Sequence, residues 1–299
     1  MLRRPRLPLA VLALALCAGL LALAPAAIAL DSGLLAFQGL RRDADGGAKT
    51  AIYTMSPNGG PAKQLTPGTQ PSISRNGKKI VYVRGDEISS TIWTIDADGG
   101  NPREIVDGKL VESEPAISPD GKQVVFVGDT GNLQGTHLYI ADADGSGVRQ
   151  LTRGDSAESE PTFSPDGKRI AFIRAREGEL MTMSVSGGDL TRVTSPDGPA
   201  PVNSPRSPSY TANGRALVFS AVRRGSSQIF SIVDDGKSLL PLTQEGVTSL
   251  EPSAAPNGSG IVFFRDGNLF TMSMLGTDLK QLTSLDRSDG ANSHPSWGG

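Results

Sequence analysis

Thiol chemistry is excluded from most of this sequence. Cys17 is the only cysteine in 299 residues, and it lies within an apolar N-terminal segment. The rest of the chain can therefore form neither a disulfide nor a thiolate metal site. Histidine is nearly as scarce, with only His137 and His294. A histidine-rich metal centre is not expected, and we predict no cofactor.

Recognisable catalytic motifs and an excess of basic charge are also missing. The sequence contains no G-x-S-x-G elbow and no H-E-x-x-H zinc motif. It has 29 basic against 31 acidic residues, and without the three arginines near its N-terminus the net charge is −5. Nucleic acid is therefore not an expected partner. Electrostatic attachment to a membrane surface is not expected either.

The N-terminal segment is typical of a secretory signal peptide. Basic residues at 3–6 precede an apolar run at 7–24, and Ala27-Ile28-Ala29 resembles a cleavage site. We predict a signal peptide at 1–29 and a periplasmic or secreted protein with no membrane span after cleavage. Two alternatives stay open. The run approaches the length of an uncleaved membrane anchor, and Cys17 could carry a lipid.

Two motifs alternate along the remaining sequence. The first contains a proline and reads EPAISPDGKQVVF at 114–126 and EPTFSPDGKRIAF at 160–172. The second reads TIWTIDADGGNPREIV at 91–106 and HLYIADADGSGVRQLT at 137–152. Each motif occurs six times, and the proline recurs every 43–47 residues. Such a period is typical of a β-propeller blade with four short strands. The periodic prolines are Pro71, Pro115, Pro161, Pro208, Pro252 and Pro295.

Local sequence within one repeat agrees with a four-stranded blade. Ser118-Pro119-Asp120-Gly121 is a strong turn signal between the first two strands. The apolar run at 123–127 is typical of a strand that is buried on both faces. A third strand is predicted at 137–140 and a fourth at 148–152, with the Asp-rich segment 142–145 between them as a tight turn.

The two ends of the repeat array indicate how the ring closes. Residues 34–37 match a second strand, whereas the sequence ends on a lone first strand around Trp297. The last strand should therefore complete the N-terminal blade, which leaves no open sheet edge in the ring. We predict an all-β fold at residues 30–299: a six-bladed β-propeller of four-stranded antiparallel blades, closed by the C-terminal strand.

The proline motif resembles the P-x-W-S-P-D-G element of the TolB-like, or WD40-like, β-propeller repeat family. The resemblance extends from Leu30 to Gly299. Only Trp297 keeps the family's tryptophan, and the equivalent positions hold Ile73, Ile117, Phe163, Tyr210 and Ala254. The α/β domain that precedes the propeller in TolB itself is not expected here. The resemblance implies an extracytoplasmic propeller that docks partner segments at one face or at its central channel.

The residues immediately before the periodic prolines form the candidate site. They should surround one mouth of the central channel, where three carboxylates would repel one another unless a cation or a basic group lay among them. A Lys- or Arg-bearing peptide or a hard cation such as Ca²⁺ would suit such a mouth. Alternatively, these residues have only an architectural role in bonding neighbouring blades. The set is Gln70, Glu114, Glu160, Ser207, Glu251 and His294.

Three functions follow from these features. The leading prediction is a monomeric, non-enzymatic module that binds a protein or peptide in the cell envelope. The second is a metal-dependent enzyme for a carbohydrate or lactone, with a metal held by Glu114, Glu160, Glu251 and His294. The third is a structural repeat protein with no dedicated ligand. The proline-rich segment 195–207 is predicted to be a long surface loop.

Overall fold

The computed structural model describes residues 33–42, 45, 47–85, 89–106, 110–129, 135–197, 201–233, 236–286 and 288–299. The predicted signal peptide at 1–29 lies outside the described residues, and so does the start of the predicted domain at residue 30. Within the described ranges the secondary structure consists of strands, turns and bends. No helix in this part of the chain is long and apolar enough to cross a membrane.

Twenty-four strands form six four-stranded sheets, which are the six blades. Blade 1 contains β1 (Leu34–Arg42), β2 (Ala48–Met55), β3 (Lys63–Pro67) and β24 (Gly290–Gly298). Blade 2 contains β4 (Thr69–Ile73), β5 (Lys79–Gly85), β6 (Ser90–Asp96) and β7 (Arg103–Glu104). Blade 3 contains β8 (Val111–Ile117), β9 (Gln123–Asp129), β10 (Thr136–Asp142) and β11 (Arg149–Gln150).

The other three blades follow in chain order, and all neighbouring strands in every blade are antiparallel. Blade 4 contains β12 (Glu158–Phe163), β13 (Arg169–Arg174), β14 (Glu179–Ser184) and β15 (Gly188–Arg192). Blade 5 contains β16 (Asn203–Tyr210), β17 (Ala216–Arg223), β18 (Ser226–Val233) and β19 (Leu239–Pro241). Blade 6 contains β20 (Leu250–Ala254), β21 (Ile261–Arg265), β22 (Asn268–Met272) and β23 (Lys280–Gln281). The predicted six-bladed architecture is confirmed.

The hydrophobic core lies between the blades. Six buried clusters are found among the described residues, and each one joins two neighbouring blades around the ring. The second strand of a blade is buried on both faces, as in β9, where Val124, Val125 and Phe126 are all inaccessible to solvent. This explains the continuous apolar runs of the sequence, because a sheet covered on both sides buries successive side chains.

The ring closes as predicted. The C-terminal strand β24 pairs with β1, so blade 1 combines the last strand of the chain with its first three. Trp297 lies opposite Leu35 in this pairing and is buried in the cluster between blades 6 and 1. At the five equivalent positions the smaller apolar residues are buried too. Loss of the family tryptophan therefore leaves the packing position filled.

One of two connections predicted from the sequence is confirmed, and the other is wrong in part. The Asp-rich segment 142–145 is a turn, and Asp144 Oδ1 accepts hydrogen bonds from the Ser146 hydroxyl at 2.6 Å and amide at 2.9 Å. The predicted loop at 195–207 was wrong in its second half, because β16 already begins at Asn203. The prolines at 205 and 208 favoured the prediction of a loop at the start of this strand. They are tolerated because an innermost strand has one edge facing the channel, where no ladder partner needs an amide.

Candidate binding site in the axial channel

The six predicted mouth residues share one backbone conformation. Each has a φ between 48° and 53°, the left-handed region that residues other than glycine seldom occupy. Each stands with its proline in a β-bulge, where two residues of the innermost strand lie opposite one residue of the second strand. Because of the bulge, the backbone amide of the mouth residue takes no part in the hydrogen-bond ladder of its own blade. That amide needs an acceptor from elsewhere.

Side chains of the preceding blade supply most of these acceptors. The Glu114 amide donates to Gln70 Oε1 at 2.7 Å, and the Glu160 amide donates to Glu114 Oε2 at 2.6 Å. The Ser207 amide donates to Glu160 Oε2, and the His294 amide donates to Glu251 Oε2 at 2.6 Å. One oxygen of each mouth carboxylate is thus committed to joining two blades.

A second circle of bonds lies one step deeper along the channel. The residue after each periodic proline carries a small side chain, and four of these are serines whose hydroxyl oxygens accept an amide of the next blade at 3.1–3.3 Å. These six residues, here called the collar, line the channel. They are Ser72, Ala116, Thr162, Ser209, Ser253 and Ser296.

The mouth chamber is the part of the channel above the collar. It has a volume of about 200 Å³ and is lined by all six predicted mouth residues. Two of its carboxylates have a basic neighbour: Glu160 Oε1 lies 3.3 Å from Arg206 Nη1, and Glu251 Oε1 lies 3.7 Å from His294 Nε2. Glu114 differs, since its Oε1 atom has no hydrogen-bond or ion-pair partner among the described residues.

Glu114 is therefore the mouth residue with the most perturbed ionisation. Burial, together with the nearby Glu160 carboxylate, raises the pKa of Glu114 from an ordinary 4.5 to about 7. The bond from the Glu160 amide and the more distant Arg206 charge oppose this shift without cancelling it. The Glu114 carboxyl thus titrates near neutral pH, and a cation brought into the mouth chamber would favour its ionised form.

The same geometry bears on the predicted metal site. Nowhere in the described ranges do three His, Asp or Glu side chains come close enough to hold a metal ion. Two of the mouth carboxylates, Glu160 and Glu251, lie beside the basic residues Arg206 and His294. The four residues named as metal ligands surround the channel, but they do not converge on one point.

The chain is similar to known propeller proteins. The family model described as TolB beta propeller domain matches residues 62–299. The chain belongs to this family. The chain is similar to an uncharacterised protein of Agrobacterium fabrum, which is 25% identical over 82% of this chain and 74% of its own length. The Tol-Pal system protein TolB of Francisella tularensis is 30% identical, but over only 33% of this chain and 21% of that protein.

Solved structures agree with this TolB-family fold. The crystal structure of TolB from Acinetobacter baumannii superimposes on 89% of this chain and 67% of that chain, with a TM-score of 0.72 and 23% identity. At that level of identity the likeness shows the propeller fold alone.

The far end of this TolB-family channel was not predicted from the sequence. A narrow chamber of about 90 Å³ lies beyond the collar. Arg75 lines it, and from blade 2 its Nη2 donates to the carbonyl oxygens of Ala212 in blade 5 and Pro256 in blade 6. The guanidinium group thus lies across the end of the channel.

A sequence signal for Arg75 existed. In the S-P-D-G turns of blades 3 and 4, and in the related turn of blade 6, proline occupies this position as Pro119, Pro165 and Pro256. Blade 2 has arginine there. Comparing the repeats with one another for departures, rather than for agreement, would have identified it.

Proposed function

We propose that this protein is an exported binding module of the cell envelope whose mouth chamber receives a basic side chain of a protein or peptide partner. The observation that carries the proposal is the Glu114 carboxylate, which faces the mouth chamber with one oxygen uncommitted and no ion-pair partner among the described residues. A lysine or arginine head group would give this carboxylate a counter-charge and a donor.

The size and rigidity of the chamber support a single inserted side chain. About 200 Å³ is room for one long side chain rather than for a folded segment. The chamber wall consists of bulged strands joined from blade to blade by the bonds described above, so little ordering is required when a ligand enters. Preorganisation of this kind lowers the entropic cost of binding.

The location and the partner class rest on the N-terminal segment and on one relative. The predicted signal peptide favours export, and one relative is a Tol-Pal system protein by name. A protein partner in the envelope is the proposal most consistent with both. The metal-dependent enzyme is not favoured by any observation, because its four proposed ligands do not converge. The purely structural alternative explains the Glu160 and Glu251 contacts but not the uncommitted oxygen of Glu114.

The test uses calorimetric titration of the purified protein with acetyl-Gly-Lys-Gly-amide and with the neutral glutamine analogue. The lysine peptide should bind more tightly. Its affinity should rise between pH 6 and 8, because bound cation favours ionised Glu114 and binding below the Glu114 pKa of about 7 releases a proton. Glu114→Gln keeps the acceptor for the Glu160 amide but removes the charge, and it should weaken binding about tenfold, which corresponds to 1.4 kcal/mol.

Glu104→Gln is the matched control, since Glu104 is exposed on the outermost strand β7. It removes the same charge and should leave lysine-peptide affinity unchanged. Equal binding of the two peptides, or unchanged affinity and pH dependence in Glu114→Gln, would show that the mouth does not recognise a basic side chain.

A further inference from the structure

The two ends of the channel differ in charge. Three glutamates line the mouth chamber, whereas no acidic residue is among those that line the narrow chamber. Arg75 is the charged residue of the narrow chamber lining. The aspartates of the neighbouring turns are engaged locally, as Asp120 and Asp166 each accept a hydrogen bond from the serine two residues before, Ser118 and Ser164.

The Arg75 guanidinium has donor capacity to spare. Its two hydrogen bonds both come from Nη2, and within the described residues Nε and Nη1 donate to nothing. It forms no ion pair with any described carboxylate. Both carbonyl oxygens accept from Nη2, so Nε and Nη1 remain as separate charge-assisted donors for the oxygen atoms of an oxyanion.

The collar adds hydrogen-bond donors of the same kind. Each of the four collar serines accepts a backbone amide at its oxygen. Their hydroxyl hydrogens remain, and none of them is donated to an acceptor in the described part of the chain. A hydroxyl that already accepts from an amide is left with a donor for the channel. The collar and the narrow chamber therefore present hydroxyl donors that lack an acceptor among the described residues, together with the positive charge of Arg75. No acidic residue is among those that line the narrow chamber.

We propose that the narrow chamber is a binding site for a carboxylate group, anchored by the Arg75 guanidinium. The carboxylate would pair with the free N–H groups of Arg75, and the collar hydroxyls would donate to further oxygen atoms of the ligand or to bridging water. Its volume of about 90 Å³ admits a carboxylate with a few waters, at about 30 Å³ for each water. A C-terminal carboxylate of a peptide and a free small carboxylate share this chemistry.

Three probes distinguish the sources: sodium acetate, triglycine, and triglycine amide, titrated into the purified protein by calorimetry at low salt. Acetate and triglycine should compete for one site, and the amide should bind at least about tenfold more weakly than triglycine. Triglycine binding much more tightly than acetate would identify a peptide C-terminus as the ligand. Equal affinity would identify small carboxylates.

Two variants of Arg75 test the anchor. Arg75→Pro restores the residue that blades 3, 4 and 6 carry at this turn position, and Arg75→Gln keeps a polar side chain. Both should weaken acetate and triglycine binding at least about tenfold while thermal melting stays close to that of the parent protein. Arg75→Gln decides the question if Arg75→Pro does not fold. Lys78→Gln, which removes an exposed charge from the same turn, should leave the affinities unchanged.

The proposal is overturned by either of two results. In the first, no carboxylate probe gives saturable binding. In the second, Arg75→Gln binds acetate and triglycine as tightly as the parent protein.

Discussion

Glu114 and Glu160 hold the same position in neighbouring blades, yet their surroundings differ. Each uses one oxygen to accept the amide of the next mouth residue. The other oxygen of Glu160 meets Arg206, whereas that of Glu114 faces the chamber. The contrast arises because blade 5 has Arg206-Ser207 where blades 3 and 4 have Ser-Glu. A repeat that departs from the others thus gives the carboxylate of its neighbour a basic partner.

The raised pKa of Glu114 predicts that stability depends on pH. The folded protein holds the proton up to a pKa of about 7, whereas the unfolded chain releases it near 4.5. The folded state therefore binds more protons between these values, and stability falls as pH rises from 4.5 to 7. Above pH 7 the full penalty is present, on the order of 1–3 kcal/mol after allowance for solvent in the channel.

Glu114→Gln should remove this penalty. Urea unfolding should show the variant to be more stable than the parent protein at pH 8 and of similar stability at pH 4.5. Glu104→Gln, on the exposed strand β7, should follow the parent curve. Parallel pH profiles for the parent and Glu114→Gln would contradict an unfavourable buried charge at this position.

At the scale of single elements, the outermost strands are short and depend on side-chain bonds. Strands β7, β11 and β23 have only two residues each. In blades 3 to 6 a threonine just after the outermost strand accepts an amide of the third strand at 2.9–3.0 Å. These threonines end the recurring L-T or V-T pairs of the second motif: Thr152, Thr194, Thr243 and Thr283. The hydroxyl thus extends a ladder that the backbone alone would end.

Thr194→Val tests this role. Leu180 directs its carbonyl to the Val193 amide, so its own amide faces the same side and has Thr194 Oγ1 as acceptor at 3.0 Å. Valine has the same shape but no acceptor, and leaving this buried amide unpaired should lower the free energy of unfolding by about 1–3 kcal/mol. Thr194→Ser keeps the hydroxyl and should cost less. Urea midpoints that are equal for the valine variant and the parent protein would count against the bond.

For the whole molecule, the decisive contact is the closure of the ring. Strand β24 covers the edge of β1 and buries Trp297 between blades 6 and 1. Its His294 amide also donates a hydrogen bond to Glu251 of blade 6. A propeller without this strand would expose a sheet edge and lose one blade interface. The axial channel exists only when all six innermost strands face one another.

Deletion of residues 290–299 should therefore abolish the folded monomer. Size-exclusion chromatography with light scattering should show aggregates or strand-exchanged oligomers in place of a single monomeric species. Trp297→Ala is the milder variant: it keeps the strand but creates a cavity, and it should cost about 3–5 kcal/mol. A monomeric deletion variant that melts as the parent protein does would mean that the ring is stable without closure.

Much of this structure could be predicted from the repeats in the sequence. The blade number, the strand order and the closure follow from the spacing of the prolines and from the unequal ends of the repeat array. The place of the mouth residues beside the channel could also be predicted, because a residue at a fixed repeat position is brought to a fixed place in each blade. The start of β16 was missed because Pro205 and Pro208 suggested a loop. The acceptor of the Gln70 amide, Gln38, had no repeating signal, because it does not stand before a periodic proline.

The fold follows from the sequence alone, because period, turn chemistry and two-sided apolar strands all specify the same local unit, and six such units close into a ring. The chemistry of the channel follows only from the assembled ring. Arg75 meets the carbonyl oxygens of Ala212 and Pro256 across the axis, and Arg206 of blade 5 lies beside Glu160 of blade 4. Such contacts join residues from different blades. Their charges and hydrogen bonds depend on distances that exist only once the ring has closed.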